Sequence, residues 1–109
     1  MQQQVDPVIL QGQVFRSLAS LCRQYGVREL ALFGSATGDL FDPEASDIDF
    51  LVTFEPMPPA EHMRRYFGLL EDLEALFCRR VDLVEQASIE NPFVLASILK
   101  SKVDLYAAA

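Results

Sequence analysis

The chain has 109 residues, half of them hydrophobic, with 16 Asp and Glu against nine Lys and Arg and a formal net charge of −7. That length and apolar content fit one domain with a two-layer core. The basic residues are scattered, with tight groups only at Arg64-Arg65 and Arg79-Arg80, which argues against a nucleic-acid-binding face, and no apolar run approaches the roughly eighteen residues of a membrane span.

Residues 1–6 are polar and are expected to fray. Met1-Gln2-Gln3-Gln4 has no basic region and no apolar stretch behind it, so no secretory signal is read and a soluble cytoplasmic protein is expected. From about Pro7 to Tyr25 the apolar positions Val14, Phe15, Leu18, Leu21, Cys22 and Tyr25 recur at three and four, which predicts an amphipathic helix closed by Gly26. Val27 to Phe33 reads as the first strand, and Ser35 is placed to cap a short helical turn through Ala36 and Thr37. Gly38 to Ser46 is a loop, and Asp47 to Phe54 is the second strand.

The proline-bearing segment Glu55–Pro59 is a connection. A helix is expected from about Ala60 to Phe77, with Met63, Tyr66, Phe67, Leu70, Leu73 and Phe77 as its buried stripe. His62 falls on the polar side of that reading and is taken as a solvated surface residue. Arg80 to Val84 reads as a short third strand with Val81 and Leu83 inward and Asp82 outward. Asn91-Pro92 is a strong helix start for a segment running to about Lys100. Its Phe93, Ile98 and Leu99 have two possible partners, the sheet or another subunit, so homo- or hetero-oligomer formation stays open. Lys102 to Tyr106 closes the chain as a short strand. Cys22 and Cys78 lie in helical segments among apolar residues and are read as reduced core thiols, with no zinc spacing around them. No linker or repeat divides residues 1–109, so a single α/β (α+β) domain is expected, a small sheet with helices packed on it.

The chemistry concentrates in Leu32-Phe33-Gly34-Ser35 and in Asp47-Ile48-Asp49-Phe50-Leu51-Val52. Residues two apart on a strand share a face, so Asp47 and Asp49 point together while Ile48, Phe50, Val52 and Phe54 anchor the opposite, apolar face. Carboxylates about 6–7 Å apart repel by on the order of 2–3 kcal/mol at an effective dielectric of about 20. A cation offsets that repulsion, and magnesium, which takes a few carboxylates plus substrate phosphates, suits it best. A Gly-Ser turn after a buried strand is a phosphate-cradling geometry. Together these features suggest a site for a nucleotide with its magnesium, which brings its own positive charge to an acidic protein. Asp82 is a lone acid in an apolar strand. It either joins Asp47 and Asp49 as a triad, if the strands are neighbours in suitable register, or pairs with Arg79 or Arg80 at a strand edge.

Phe33-Gly34-Ser35, Ser46-Asp47-Ile48-Asp49-Phe50-Leu51-Val52 and Val81-Asp82-Leu83-Val84 resemble the minimal nucleotidyltransferases (MNT) of the DNA polymerase β superfamily. The resemblance spans nearly the whole chain and extends to the ending, where a Pro-initiated helix precedes Leu105-Tyr106-Ala107-Ala108. It implies a nucleotidyltransferase fold, a small mixed sheet with helices on one side, and two-metal chemistry with ATP as donor. Asp47 and Asp49 would hold both Mg2+ ions. Asp82 would hold one and help activate the attacking hydroxyl. Gly34 and Ser35, with Ser46 beside the first acid, would bind the nucleotide.

The resemblance further implies a toxin–antitoxin pair, in which such a protein is the antitoxin and transfers AMP to a tyrosine of a HEPN-domain toxin. Many relatives place an Arg shortly after the Gly-Ser turn, whereas this chain has Ala36, Thr37, Gly38 and Asp39. Two alternatives therefore stand beside protein AMP transfer. One is an antitoxin with a weak or silent site that neutralises by binding. The other is transfer to a small-molecule hydroxyl, as in the aminoglycoside nucleotidyltransferases.

Overall fold

In the computed structural model, residues 12–34 and 47–108 are described. They form, in chain order, helix α1 (Gly12–Gln24), strands β1 (Val27–Phe33) and β2 (Ile48–Phe54), helix α2 (Pro59–Phe77), strand β3 (Val81–Glu85), a short 3-10 turn (Gln86–Ser88), helix α3 (Pro92–Ser101) and strand β4 (Val103–Ala107). The expected fraying of residues 1–6, the first turns of the N-terminal helix, the Ser35 cap and the 38–46 loop lie outside the described residues.

The four strands form one mixed sheet in the order β3-β2-β1-β4. β1 pairs antiparallel with both β2 and β4, and β2 pairs parallel with β3. A parallel pair needs a crossover, and α2 supplies it. β1 departs from strict alternation. Its register against β2 shifts between Val27 and Glu29, and this extra residue lets Val27 and Leu30, three positions apart, both reach the core.

The core lies between one face of the sheet and the two helices α1 and α2. Leu30, Leu32, Ile48, Phe50, Val52, Val81 and Leu83 point toward Leu18 and Cys22 of α1 and Leu69, Leu73 and Phe77 of α2. The Phe50 and Phe77 rings meet at 5.7 Å between centroids and a 40° tilt, a favoured aromatic geometry. Burying each of these aliphatic and aromatic side chains contributes about 1.5–3 kcal/mol.

Three sequence expectations are corrected here. On α2 the buried residues are Leu69, Leu73 and Phe77, whereas Met63 and Phe67 are 62% and 55% exposed. The helix seats on the sheet by the arc through Leu69, Leu73 and Phe77, and the large apolar residues of its first half fall on the adjacent flank. His62 is not a solvated residue on the polar side: its ring lies 5.2 Å from that of Phe54 and its Nε2 bonds Glu85 Oε1 at 2.7 Å. Cys78 is exposed. It ends α2 in the left-handed region at φ 54 and so leaves the helical stripe. Cys22 is fully buried, and burial pushes its thiol up to about 12.

α3 begins as its sequence predicts. The Asn91 side chain accepts from the backbone N–H groups of Phe93 and Val94 at 2.9 and 3.2 Å, with Pro92 in the first turn. None of its residues is buried, and Phe93 is 84% exposed. Among the described residues no helix is long and apolar enough to cross a membrane.

Candidate active site

β2 sets out the site by simple alternation. Ile48, Phe50, Val52 and Phe54 are all buried toward the helices, which turns Asp49, Leu51 and Thr53 to the other side of the sheet. β3 alternates in the same sense, with Val81 and Leu83 buried and Asp82 exposed. The parallel register sets Asp49 opposite Asp82. Neighbouring strands stand about 4.8 Å apart, so the two carboxylates are side by side on one face. Asp47 immediately precedes β2 and is exposed.

Asp49 carries the electrostatic strain of this arrangement. It is half-buried. Desolvation first, then the charges of Asp82 and Asp47, raise its carboxyl above the usual carboxylate range. Asp82 on the neighbouring strand and Asp47 just before β2 therefore both bear on Asp49. The site-forming pair is long-range in sequence and arises only because β3 lies beside β2.

Gly34 closes the other side. It follows Phe33, whose partner across the β1–β2 ladder is Asp49. Its φ of +73° is the left-handed region that favours glycine. A Cβ at this position would fall against Asp49 Oδ2 and only 3.2 Å from Asp49 Cγ, so a side chain here would displace the carboxylate. The glycine of the Gly-Ser turn thus has two roles, making the bend and leaving room for Asp49. Ser35 and Ser46, the other expected nucleotide-binding residues, lie outside the described residues.

β3 is an edge strand, and its outer side is fastened by α2. The bond from Ile48 N–H to the Arg80 carbonyl sets the parallel ladder so that Val81 and Leu83 aim their backbone groups away from β2. The Val81 N–H donates to Glu74 Oε2 at 3.1 Å, and the Tyr66 hydroxyl donates to the Leu83 carbonyl at 2.5 Å. His62 meets the side chain of Glu85. Positions 62, 66 and 74, spaced by four and eight on one helix, thus meet 85, 83 and 81, spaced by two on the strand, in reverse order. This row stands where another strand would otherwise pair and holds Asp82 between two tied neighbours. Helical spacing marks His62 and Tyr66 as neighbours on α2, but their partners 17 and 23 residues away are not visible in the sequence.

The model of the nucleotidyltransferase domain family matches residues 16–105. The chain belongs to that family. A protein adenylyltransferase MntA from Thermococcus cleftensis is 42% identical to it over 72 residues, 65% of this chain and 68% of that protein. A solved structure assigned as a minimal nucleotidyltransferase superposes with a TM-score of 0.68 at 26% identity, covering 91% of this chain and 95% of that one. A structure of a tri-AMPylated Shewanella oneidensis HEPN toxin in complex with an MNT antitoxin shares the fold, with a TM-score of 0.57 at 21% identity over 86% of this chain and 70% of that one.

The nucleotidyltransferase fold has its mixed sheet and its helix-covered face here, with the acids on the opposite face. Among the described residues no group of three or more His, Cys, Asp or Glu side chains is placed to hold a metal ion. That is compatible with magnesium, which keeps waters and takes substrate phosphates alongside one or two carboxylates. The donors fit as well: they are carboxylate oxygens, and Asp49, raised above the usual carboxylate range by burial first and then by the Asp82 and Asp47 charges, is a group whose ionised form a bound cation would favour.

Proposed function

We propose that this nucleotidyltransferase transfers AMP from ATP, with magnesium, to a tyrosine hydroxyl of a HEPN-domain toxin, and that it acts thereby as the toxin's antitoxin. The observation that carries the proposal is the in-register pair Asp49–Asp82 beside the Gly34 bend, in which burial first and then the neighbouring charges hold Asp49 above its ordinary pKa. The described relatives support the choice of donor and acceptor: one is a protein adenylyltransferase, and in another complex the toxin itself is AMPylated.

Asp47, Asp49 and Asp82 would hold the magnesium ions. When bound, the metal supplies charge neutralisation at the α-phosphate and at the attacking and leaving oxygens. The chain's own residues do the remainder. Gly34 lets the backbone approach the triphosphate closely, with Ser35 next to it in sequence. Asp82, at the outer side of the pair, accepts the proton of the acceptor hydroxyl. The hydroxyl oxygen then bonds to the α-phosphorus as the bond from that phosphorus to the bridging oxygen breaks, and pyrophosphate leaves. Little covalent work falls to the protein beyond positioning and charge.

The test is to incubate the purified chain with ATP, magnesium and the HEPN protein encoded beside it, and to weigh that partner intact. The partner gains one or more AMP units with the native chain and none with Asp82→Asn. A partner that stays unmodified but binds tightly overturns the transfer reading. It would favour neutralisation by binding, the reading to which Ala36, Thr37, Gly38 and Asp39 point, since they leave no cation just after the turn.

A further inference from the structure

Outside β3, between the first half of α2 and the 3-10 turn, lies an open groove of about 560 Å3. Met57, Met63 and Phe67 form its apolar wall, and Tyr66, Val84 and Glu85 lie along the strand side. Met63 and Phe67 are more than half exposed although they are large and apolar. Nothing in the core explains them, because α2 seats on the sheet through Leu69, Leu73 and Phe77.

The groove's place relative to the acids is informative. Across the sheet the order runs from Gly34 at the end of β1, through Asp49 on β2, to Asp82 on β3, and then to the groove. In-line displacement requires the attacking oxygen and the leaving pyrophosphate on opposite sides of the α-phosphorus. With the triphosphate at the Gly34 bend, the acceptor arrives from the β3 side. Val84, two residues beyond Asp82, lines the groove, so the groove is continuous with that approach. The one carboxylate in its lining, Glu85, is already bonded to His62 Nε2 at 2.7 Å, which leaves Met63 and Phe67 as the groove's open contact surface.

We infer that this groove is the docking site for the acceptor protein, taking a segment with an apolar or aromatic anchor, which brings its reacting hydroxyl to Asp82. The inference rests on the protein-transfer reading above and names the surface that reading needs. The anchor packs on Met63 and Phe67, which are 62% and 55% exposed. A few buried apolar anchors carry most of the affinity at such surfaces.

The experiment measures the transfer rate against HEPN toxin concentration for the native chain, Met63→Glu, Phe67→Glu and the conservative Met63→Leu. Far-UV circular dichroism and nucleotide-induced thermal protection are recorded for each variant. Both substituted residues are exposed, so all variants fold and keep that protection. The two Glu variants raise the KM for the toxin by about tenfold or more with kcat at saturation unchanged, and Met63→Leu stays near native. A native chain that transfers AMP while the Glu variants keep its KM overturns the groove and spares the transfer reading. A fall in kcat with KM unchanged also overturns it. So does a Glu variant that only abolishes self-association of this chain in light scattering while toxin KM is retained. A native chain that transfers nothing to the toxin overturns the transfer reading, and the groove's role with it.

Discussion

Asp49 is the residue on which fold and chemistry pull in opposite directions. Its backbone belongs to a strand locked by Ile48, Phe50 and Val52, while its carboxyl is desolvated and faces two like charges. Its folded pKa is therefore raised. Stability linked to such a group is fully present below the unfolded value of about 4 and is lost as pH rises through the folded value. Without metal, Asp49→Asn is expected to melt higher than the native chain near neutral pH, by on the order of a few degrees. The two should converge at low pH. Magnesium should raise the melting temperature of the native chain and leave that of the variant nearly unmoved. A variant that melts lower than native at neutral pH without metal would contradict this account.

At the scale of elements, the pairing of α2 with the free edge of β3 decides how Asp82 is presented. Tyr66 is its central contact, with its hydroxyl on the Leu83 carbonyl. Burial, and then the charges of Glu85 and Asp82, raise the Tyr66 phenol above its ordinary value, so it stays a donor throughout the physiological range. Tyr66→Phe removes that donor and leaves a carbonyl without it, which costs about 1 kcal/mol. In urea denaturation the midpoint should fall by that amount with the slope unchanged. Amide exchange should quicken along β3, and α1 should keep its protection. Equal loss of protection in α1 and β3 would show that Tyr66 supports the fold generally and not this edge.

For the whole molecule, the decisive feature is that one face of the sheet packs against α1 and α2 while Asp49 and Asp82 lie on the other. Leu73 is fully buried between α2 and the sheet, so Leu73→Ala should cost about 2–5 kcal/mol, a large part of the 5–15 kcal/mol typical of a domain. Phe93→Ser on α3, at a position 84% exposed, should change stability by less than about 0.5 kcal/mol. Chemical denaturation of both variants measures the contrast. A large loss for Phe93→Ser would mean that α3 is part of the core after all.

The local rules were enough for much of this. The span of β1, the outward turn of Asp49 on β2 and of Asp82 between Val81 and Leu83, and the Asn91-Pro92 helix start all follow from periodicities and caps that act within a few residues. The three motif pieces were enough to indicate the family. Tertiary structure decided the rest. It placed β3 parallel to β2 so that Asp49 meets Asp82, and it set Gly34 against the Asp49 carboxyl. It also introduced the extra residue in β1, rotated α2 so that Leu69 is buried while Met63 and Phe67 are exposed, and brought His62 onto Glu85. Each of these depends on which distant segments become neighbours. Hydrophobic spacing marks a helix's apolar residues but not the arc that will touch the sheet, because that arc is chosen by the shape of the surface it meets.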